Sequence, residues 1–288
     1  MNEILEHLKT LNLDLINIYP VKGGALSDTF CIESYDKKYF LKLNTAPNFP
    51  HLFEREISGL DYIQKHSSFK IPTIYQSGLT PNDFQYLLLE WIDKSEPTII
   101  SWENLGKNLA QLHKNTNDQF GWKEDNYIAI IIQPNNYKNS WEQFYTENRI
   151  MPMVKLLADK NLLNPKEQKA AENLCSDLRN IFPNEVPALI HGDLWNGNII
   201  TRDEGEITLI DPSIHFGHRE MDLAMADLFG GFDDTFLDSY NEVFPIEGNF
   251  NERKSIAQLY PLLVHAYLFE GYYIKDVQTI LKKFTKKF

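Results

Sequence analysis

The chain has 288 residues, 43% of them hydrophobic, with 14 Gly and 14 Pro and a formal net charge of -12 from 28 Lys and Arg against 40 Asp and Glu. That is the composition of a folded protein and excludes the fibrous and disordered classes. A single core at this length is near its size limit, so two lobes with a cleft between them are expected, and the acidic balance disfavours nucleic acid as a partner.

The two cysteines, Cys31 and Cys175, are far apart and each lies in an apolar stretch, so they read as buried free thiols, with neither a disulfide framework nor a zinc site. The first residues carry Glu3 and Glu6, and no run anywhere approaches the ~20 apolar residues of a membrane span. A cytoplasmic protein without a membrane partner is expected. The basic tail of Lys282, Lys283, Lys286 and Lys287 reads as the solvated face of a terminal helix.

In chain order, Ile4, Leu5, Leu8 and Leu11 recur with helical spacing, after which the period becomes that of strands. A glycine turn, Val21-Lys22-Gly23-Gly24, precedes two runs, Leu26 to Ile32 and Lys38 to Leu43, joined by the polar turn Ser34 to Lys37. Their aromatic and β-branched content predicts a hairpin. Residues 51 to 65 repeat helically, and Phe84 to Ile92 is an almost continuous apolar strand. Residues 1-92 therefore form a small α+β lobe and 93-288 a larger one. In the larger lobe helices are predicted over Trp102 to Lys114, Trp141 to Asp159, Pro165 to Ile181, Glu220 to Phe229, Asp233 to Val243, Arg253 to Glu270 and Asp276 to Lys287. Gly121 to Asn139 reads as an irregular insertion, and Ala188 to Pro212 as a strand-rich island.

The island carries the chemistry. It holds His191-x-Asp193-x-x-x-x-Asn198 and, 18 residues after Asp193, Asp211. This is the order that phosphoryl transfer from ATP uses: a carboxylate to take the proton of the attacking hydroxyl, then an amide oxygen and a second carboxylate to hold Mg2+ on the phosphates. Asp193 follows the strand Ala188 to Ile190, Asn198 opens a second and Asp211 ends a third, so all three polar groups are expected at the strand ends of one hairpin. A polar turn satisfied by its own side chains would explain one such residue but not three in register.

Upstream, Lys42 lies among apolar residues in a strand, where a lysine is an edge residue, a snorkelling one, or a phosphate ligand with a paired carboxylate. On the helix from residue 51, with Phe53 at 0° and ~100° per residue, Ile57, Leu60 and Ile63 centre the apolar face near 340°. Glu56 then falls at about 300°, inside that face, and Glu54 at about 100°, outside it. Glu56 is the expected partner of Lys42. Gly23 and Gly24 read as a lid whose N-H groups approach phosphates. Glu90, Trp91 and Ile92 end the last strand of the small lobe, where an adenine would bond to the backbone and the side chains themselves would matter little. Asp222, in the first turn of a helix, is read as tying that helix to the catalytic loop.

With these residues in hand, the chain resembles the fructosamine kinase (ketosamine-3-kinase) family, within the protein-kinase-like small-molecule phosphotransferases that include aminoglycoside and choline kinases. The most specific stretch is His191-Gly-Asp-Leu-Trp-Asn-Gly-Asn198, supported by Phe40-Leu-Lys-Leu-Asn44, Leu89-Glu-Trp-Ile92, Asp125-Asn126, Gln133 with Asn135, and Gly217-His-Arg-Glu-Met-Asp-Leu-Ala224. The resemblance implies a bilobal α+β fold with an ATP cleft between a β-rich N-lobe and a mostly helical C-lobe. It also implies that Asp193 is the base, that Asn198 and Asp211 bind Mg2+, and that Lys42 with Glu56 grips ATP. Glu90 to Ile92 then receive the adenine, and Trp195 faces the sugar. The family phosphorylates the 3-hydroxyl of a ketosamine, and the unstable product releases the amine, which repairs glycated molecules.

Three departures bear on the acceptor: Ala129 follows Ile128 where relatives often read Ile-Gly, Ala25 stands where many have cysteine in the lid, and Glu270 replaces a Phe-Gly pattern. Gln133, Asn135 and Trp195 favour a sugar amine, small-molecule or protein-bound, as the partner. The alternatives are a same-fold phosphotransferase for an aminoglycoside or choline-like hydroxyl, and a non-catalytic nucleotide-binding scaffold, whose mark would be loss of Asp193, Asn198, Asp211 or Lys42.

Overall fold

A computed structural model describes residues 15-21 and 27-285. The expected helix over residues 2 to 11, the glycine turn with Gly23, Gly24 and Ala25, and Lys286 and Lys287 lie outside the described residues.

The strands β1 (Leu15–Pro20), β2 (Asp28–Ser34), β3 (Lys38–Thr45), β4 (Ile74–Leu79) and β5 (Phe84–Glu90) form a five-stranded sheet in the order β1-β2-β3-β5-β4, antiparallel throughout. The predicted polar turn joins β2 to β3, held by Ser34 Oγ donating to Asp36. Alternation along the strands divides the sheet into two faces. Phe30, Ile32, Leu41, Leu43, Tyr86 and Leu88 fill one face, while Leu87 and Leu89 pack with Phe53 of helix α1 (Leu52–His66) on the other. Lys42, opposite Leu87 in β5, lies in register with the α1 face. β4 is new to the structure: it is a mostly exposed edge strand with an irregular register, so it lacks the apolar alternation that announces a strand.

The remainder is helical. Its elements are α2 (Ile99–His113), α3 (Trp141–Tyr145), α4 (Met151–Asp159), α5 (Pro165–Ile181), α6 (Glu220–Leu228), α7 (Asp234–Val243), α8 (Phe250–Ala257), α9 (Leu259–Phe269) and α10 (Tyr272–Lys282). α2 starts three residues ahead of the expected Trp102 because Thr98 and Ser101 form a reciprocal capping box. A π turn at Thr146–Ile150 interrupts the run expected over Trp141 to Asp159. The helix expected from Arg253 to Glu270 divides at Gln258. Pro261 has no N-H to give the preceding turn, and the carbonyl of Ala257 accepts instead from the Tyr145 hydroxyl at 3.2 Å.

The insertion contains a short hairpin of β6 (Asn126–Ile128) and β7 (Ile131–Gln133). The island is not one hairpin. β9 (Ile199–Thr201) pairs with β10 (Ile207–Leu209), whereas β8 (Ala188–Ile190) pairs with β11 (His215–Gly217). Three-residue strands carry too little pattern to reveal their partners.

α1 belongs to both lobes. Phe53 meets the sheet, while Leu60 and Ile63 enter the cluster of Phe69, Trp102, Leu105, Leu109 and Leu189.

Candidate active site

From β3, Lys42 reaches across to α1, where its ammonium lies 2.7 Å from Glu56 Oε1, and it also contacts Asp211. The helical phase is as expected: the Glu56 side chain is 13% exposed, whereas that of Glu54 is 69% exposed and bonds His51. Burial works against the charged form of Lys42, but the carboxylates of Asp211 and Glu56 outweigh it and raise its pKa. Burial pushes the Glu56 carboxyl up, Lys42 opposes this, and the Asp211 charge adds to it. Two carboxylates thus share one buried cation. Asp211 has φ 53, a left-handed conformation that Asp tolerates better than most residues and that occurs where tertiary contacts impose it.

The loop that carries Asp193 leaves β8 at His191. The carboxylate of Asp222, in the first turn of α6, accepts from the N-H groups of His191 at 2.7 Å and Gly192 at 2.9 Å, with His113 Nε2 at 3.2 Å. Asp222 therefore ties the helix start to the loop, as its place in the sequence suggests. His191 Nε2 faces the Ile210 carbonyl at 3.0 Å, and its Nδ1 accepts from Asp193 N-H at 3.3 Å, which defines the neutral Nε2-H tautomer. Burial lowers the pKa of His191 accordingly. This imidazole joins the loop to the residue before Asp211.

Asp193 is half-buried. Burial pushes its carboxyl up to about 7; a hydrogen bond from Asn198 pulls it down, and the charges of Asp211 and Asp222 add to the rise. Asn198 Nδ2 donates to the Asp193 carbonyl at 2.8 Å and to its Oδ2 at 2.9 Å, while the Asn198 carbonyl accepts from Ile210 N-H at 3.1 Å. With Nδ2 engaged, Asn198 has Oδ1 to offer a cation. An amide oxygen and the Asp211 carboxylate are hard donors of the kind that fits Mg2+, which takes few protein ligands when phosphate oxygens and water complete its shell. Among the described residues no group of three or more His, Cys, Asp or Glu side chains could hold a metal ion.

Trp195 is 37% exposed and meets Phe229 edge-on at 5.8 Å. Its indole lies over Gly197, where a Cβ would sit 2.2 Å from the ring. Glycine at that position of the motif is a matter of clearance.

Two expectations change. The Glu90 side chain is not incidental: it pairs with both terminal nitrogens of Arg202 at 2.7 and 3.0 Å and accepts from Thr73 N-H at 3.0 Å. Glu90 thus ties the end of β5 to the β9-β10 hairpin, and the Arg202 hydrogen bond holds its carboxyl down, to about 2. Trp91, whose Nε1 donates to Asp93, and Ile92 follow half-buried past the end of the sheet. Gln133 and Asn135, read as favouring a sugar amine, are both 0% exposed. Gln133 Nε2 donates to Asn126 Oδ1 at 2.9 Å, and Asn135 Oδ1 accepts from Arg149 at 2.7 Å, so they satisfy buried polar groups.

His113 has no counterpart in the sequence reading. It faces Asp222 on one side and the Tyr240 hydroxyl, at 2.8 Å, on the other. Its spacing of four and eight residues from Leu109 and Leu105 places it on an apolar face, and that was the available signal.

The fold and the spatial order of these groups define an ATP-dependent phosphotransferase of the protein-kinase-like class. The family model for fructosamine kinase matches residues 1–287. A probable ketoamine kinase of Enterococcus faecium is 36% identical over 93% of this chain and 95% of its own. A crystal structure assigned as a fructosamine-3-kinase from Haemophilus somnus superposes with TM-score 0.85 at 29% identity, covering 94% of this chain and 91% of that one. The aminoglycoside phosphotransferase APH(4)-Ia shares the fold alone, with TM-score 0.65 at 14% identity over 98% of this chain and 99% of its own. The chain belongs to the fructosamine kinase family.

Proposed function

We propose that this kinase transfers the γ-phosphoryl group of ATP to the 3-hydroxyl of a ketosamine, a sugar carried on an amine, as the first step of deglycation. The observation that carries the reading is the meeting of Lys42, Glu56 and Asp211 at one point, joined through Asn198 and His191 to the loop that bears Asp193.

Lys42, fixed by Glu56, holds the α- and β-phosphates, and the backbone of Glu90 to Ile92 takes the adenine. The N-lobe, residues 1-92, supplies these nucleotide contacts, and the acceptor approaches from the C-lobe, residues 93-288. Asp211 and Asn198 hold Mg2+, which when bound neutralises charge on the transferring phosphates. Asp193 orients the acceptor hydroxyl and takes its proton as the new O-P bond forms and the bond from the γ-phosphorus to the β,γ-bridging oxygen breaks, with ADP leaving. A carboxyl at about 7 is poised for this at neutral pH. Trp195 offers an exposed aromatic face beside Asp193 for the sugar amine.

ATP consumption measured against ketosamines, ribulosamines, choline and aminoglycosides tests the reading. Turnover confined to the sugar amines, free or protein-bound, is expected; faster turnover of choline or an aminoglycoside would overturn it.

A further inference from the structure

α1 has no side-chain cap of its own. His51, ahead of its first turn, has φ 60 and makes no capping bond, so outside contacts must fix where the helix sits. Beside the packing of Phe53, Leu60 and Ile63, polar contacts to this end of α1 come from the insertion. Arg55 forms an ion pair with Glu124, and Ser58 Oγ donates to Glu124 Oε1 at 3.2 Å. The Tyr127 hydroxyl donates to the carbonyl of Pro50, just before the helix, at 2.9 Å. Arg55, Ser58 and Gly59, at helical spacings of three and four, form one stripe, while Glu56, one residue and about 100° further on, turns to Lys42. Gly59 closes the stripe against Pro212, where a Cβ would lie 3.1 Å from the proline ring.

The same insertion also holds the segment that follows Asp211. Asn126 Nδ2 donates to the Ile214 carbonyl at 2.9 Å, Gln133 Nε2 reaches the Ser213 carbonyl at 3.3 Å, and Ser213 Oγ donates to the Tyr127 carbonyl at 2.6 Å. One insertion therefore braces both halves of the phosphate site.

We propose that Glu124 and Arg55 are positioning residues, and that the 124-135 insertion sets the register of α1 against the Asp211-Pro212 segment so that the Lys42-Glu56 pair and Asp211 reach the nucleotide together. The brace lies within the chain. It acts on ATP, not on the acceptor, and it rests on the proposed roles of Lys42, Glu56 and Asp211.

Steady-state kinetics of the full chain with a fructosylated amine, together with direct ATP binding in the presence of Mg2+, test the brace. Glu124→Gln and Arg55→Gln should each lower kcat/KM for ATP about tenfold or more, since a small misplacement of the grip is costly, while KM for the acceptor stays within about twofold. The double variant should be no worse than the poorer single one, because both remove the same contact. Tyr127→Phe, which deletes only the bond to Pro50, should lose ATP affinity in the same direction and keeps the test open if Glu124→Gln fails to fold. The brace is refuted if Glu124→Gln stays within twofold, if the loss falls on the acceptor KM, or if the two single losses multiply. Lys42→Met separates the two readings. Unchanged ATP affinity there refutes the phosphate site itself, whereas a loss there beside a neutral Glu124→Gln refutes the brace alone.

Discussion

Burial pushes the Asp193 carboxyl up to about 7, against an ordinary carboxylate value near 4, and this has consequences for activity and for stability. Only the ionised form accepts a proton, so kcat/KM for the acceptor should rise about tenfold per pH unit below 7 and level off above it. Asp193→Asn should abolish turnover and leave ATP binding near normal; turnover retained within tenfold would show that another group is the base. A carboxyl raised on folding opposes folding wherever the unfolded chain would ionise it. The same variant should therefore have a higher Tm at pH 8, a gain that shrinks as pH falls from about 7 toward 4. Glu56 and Glu54 offer a second test at this scale. Glu56→Gln leaves the buried Lys42 with one partner fewer and should cost several-fold in turnover with about 1 to 3 kcal/mol of stability. Glu54→Gln, on an exposed side chain, should stay within about 0.5 kcal/mol.

At the scale of elements, two of the departures from the family pattern fall on turns that keep a left-handed backbone. Ala129, between β6 and β7, has φ 54, and Glu270, at the end of α9, has φ 56 with ψ -143. A side chain is strained at both, and the second lies close to a region that is nearly glycine-only, so the cost is of order 1 to 3 kcal/mol there and less at Ala129. Ala129→Gly should raise Tm slightly, and Glu270→Gly should raise it more, with kcat unchanged in both; calorimetry of the three proteins checks the order. The α1 phase was legible because fifteen residues carry four turns of pattern. The β6-β7 hairpin was not, since strands of three residues hold neither a period nor a turn signal once glycine is absent from the turn.

For the molecule as a whole, ligand linkage tests the assembled site. Mg2+ with ATP at a hundred times its Kd should stabilise the native state by about 2.7 kcal/mol, a Tm rise of several degrees. Asp211→Asn should lose most of that rise, because a neutral amide is a poorer ligand for a hard cation; an unchanged metal-dependent shift would make Asp211 structural. The net charge of -12 makes the surface repel polyanions, so nucleotide binding should depend on the local cation at Lys42, which contacts two carboxylates, together with a bound metal ion.

The sequence by itself determined on which element each candidate residue sits, because strand alternation and helical spacing fix the direction of a side chain within about ten residues of backbone. Lys42 on a strand, Glu56 on the inner face of a helix and Asp193 with Asn198 on one loop were all readable in this way. Which distant groups meet was decided by the tertiary structure alone. The pairing of β8 with β11, Glu90 with Arg202, His113 with Asp222 and Arg55 with Glu124 each joins residues at least 25 positions apart. Nothing local distinguishes these partners from other polar residues of the same type. Their choice follows from burial, which leaves each polar group only the partner that the packed lobes bring within reach.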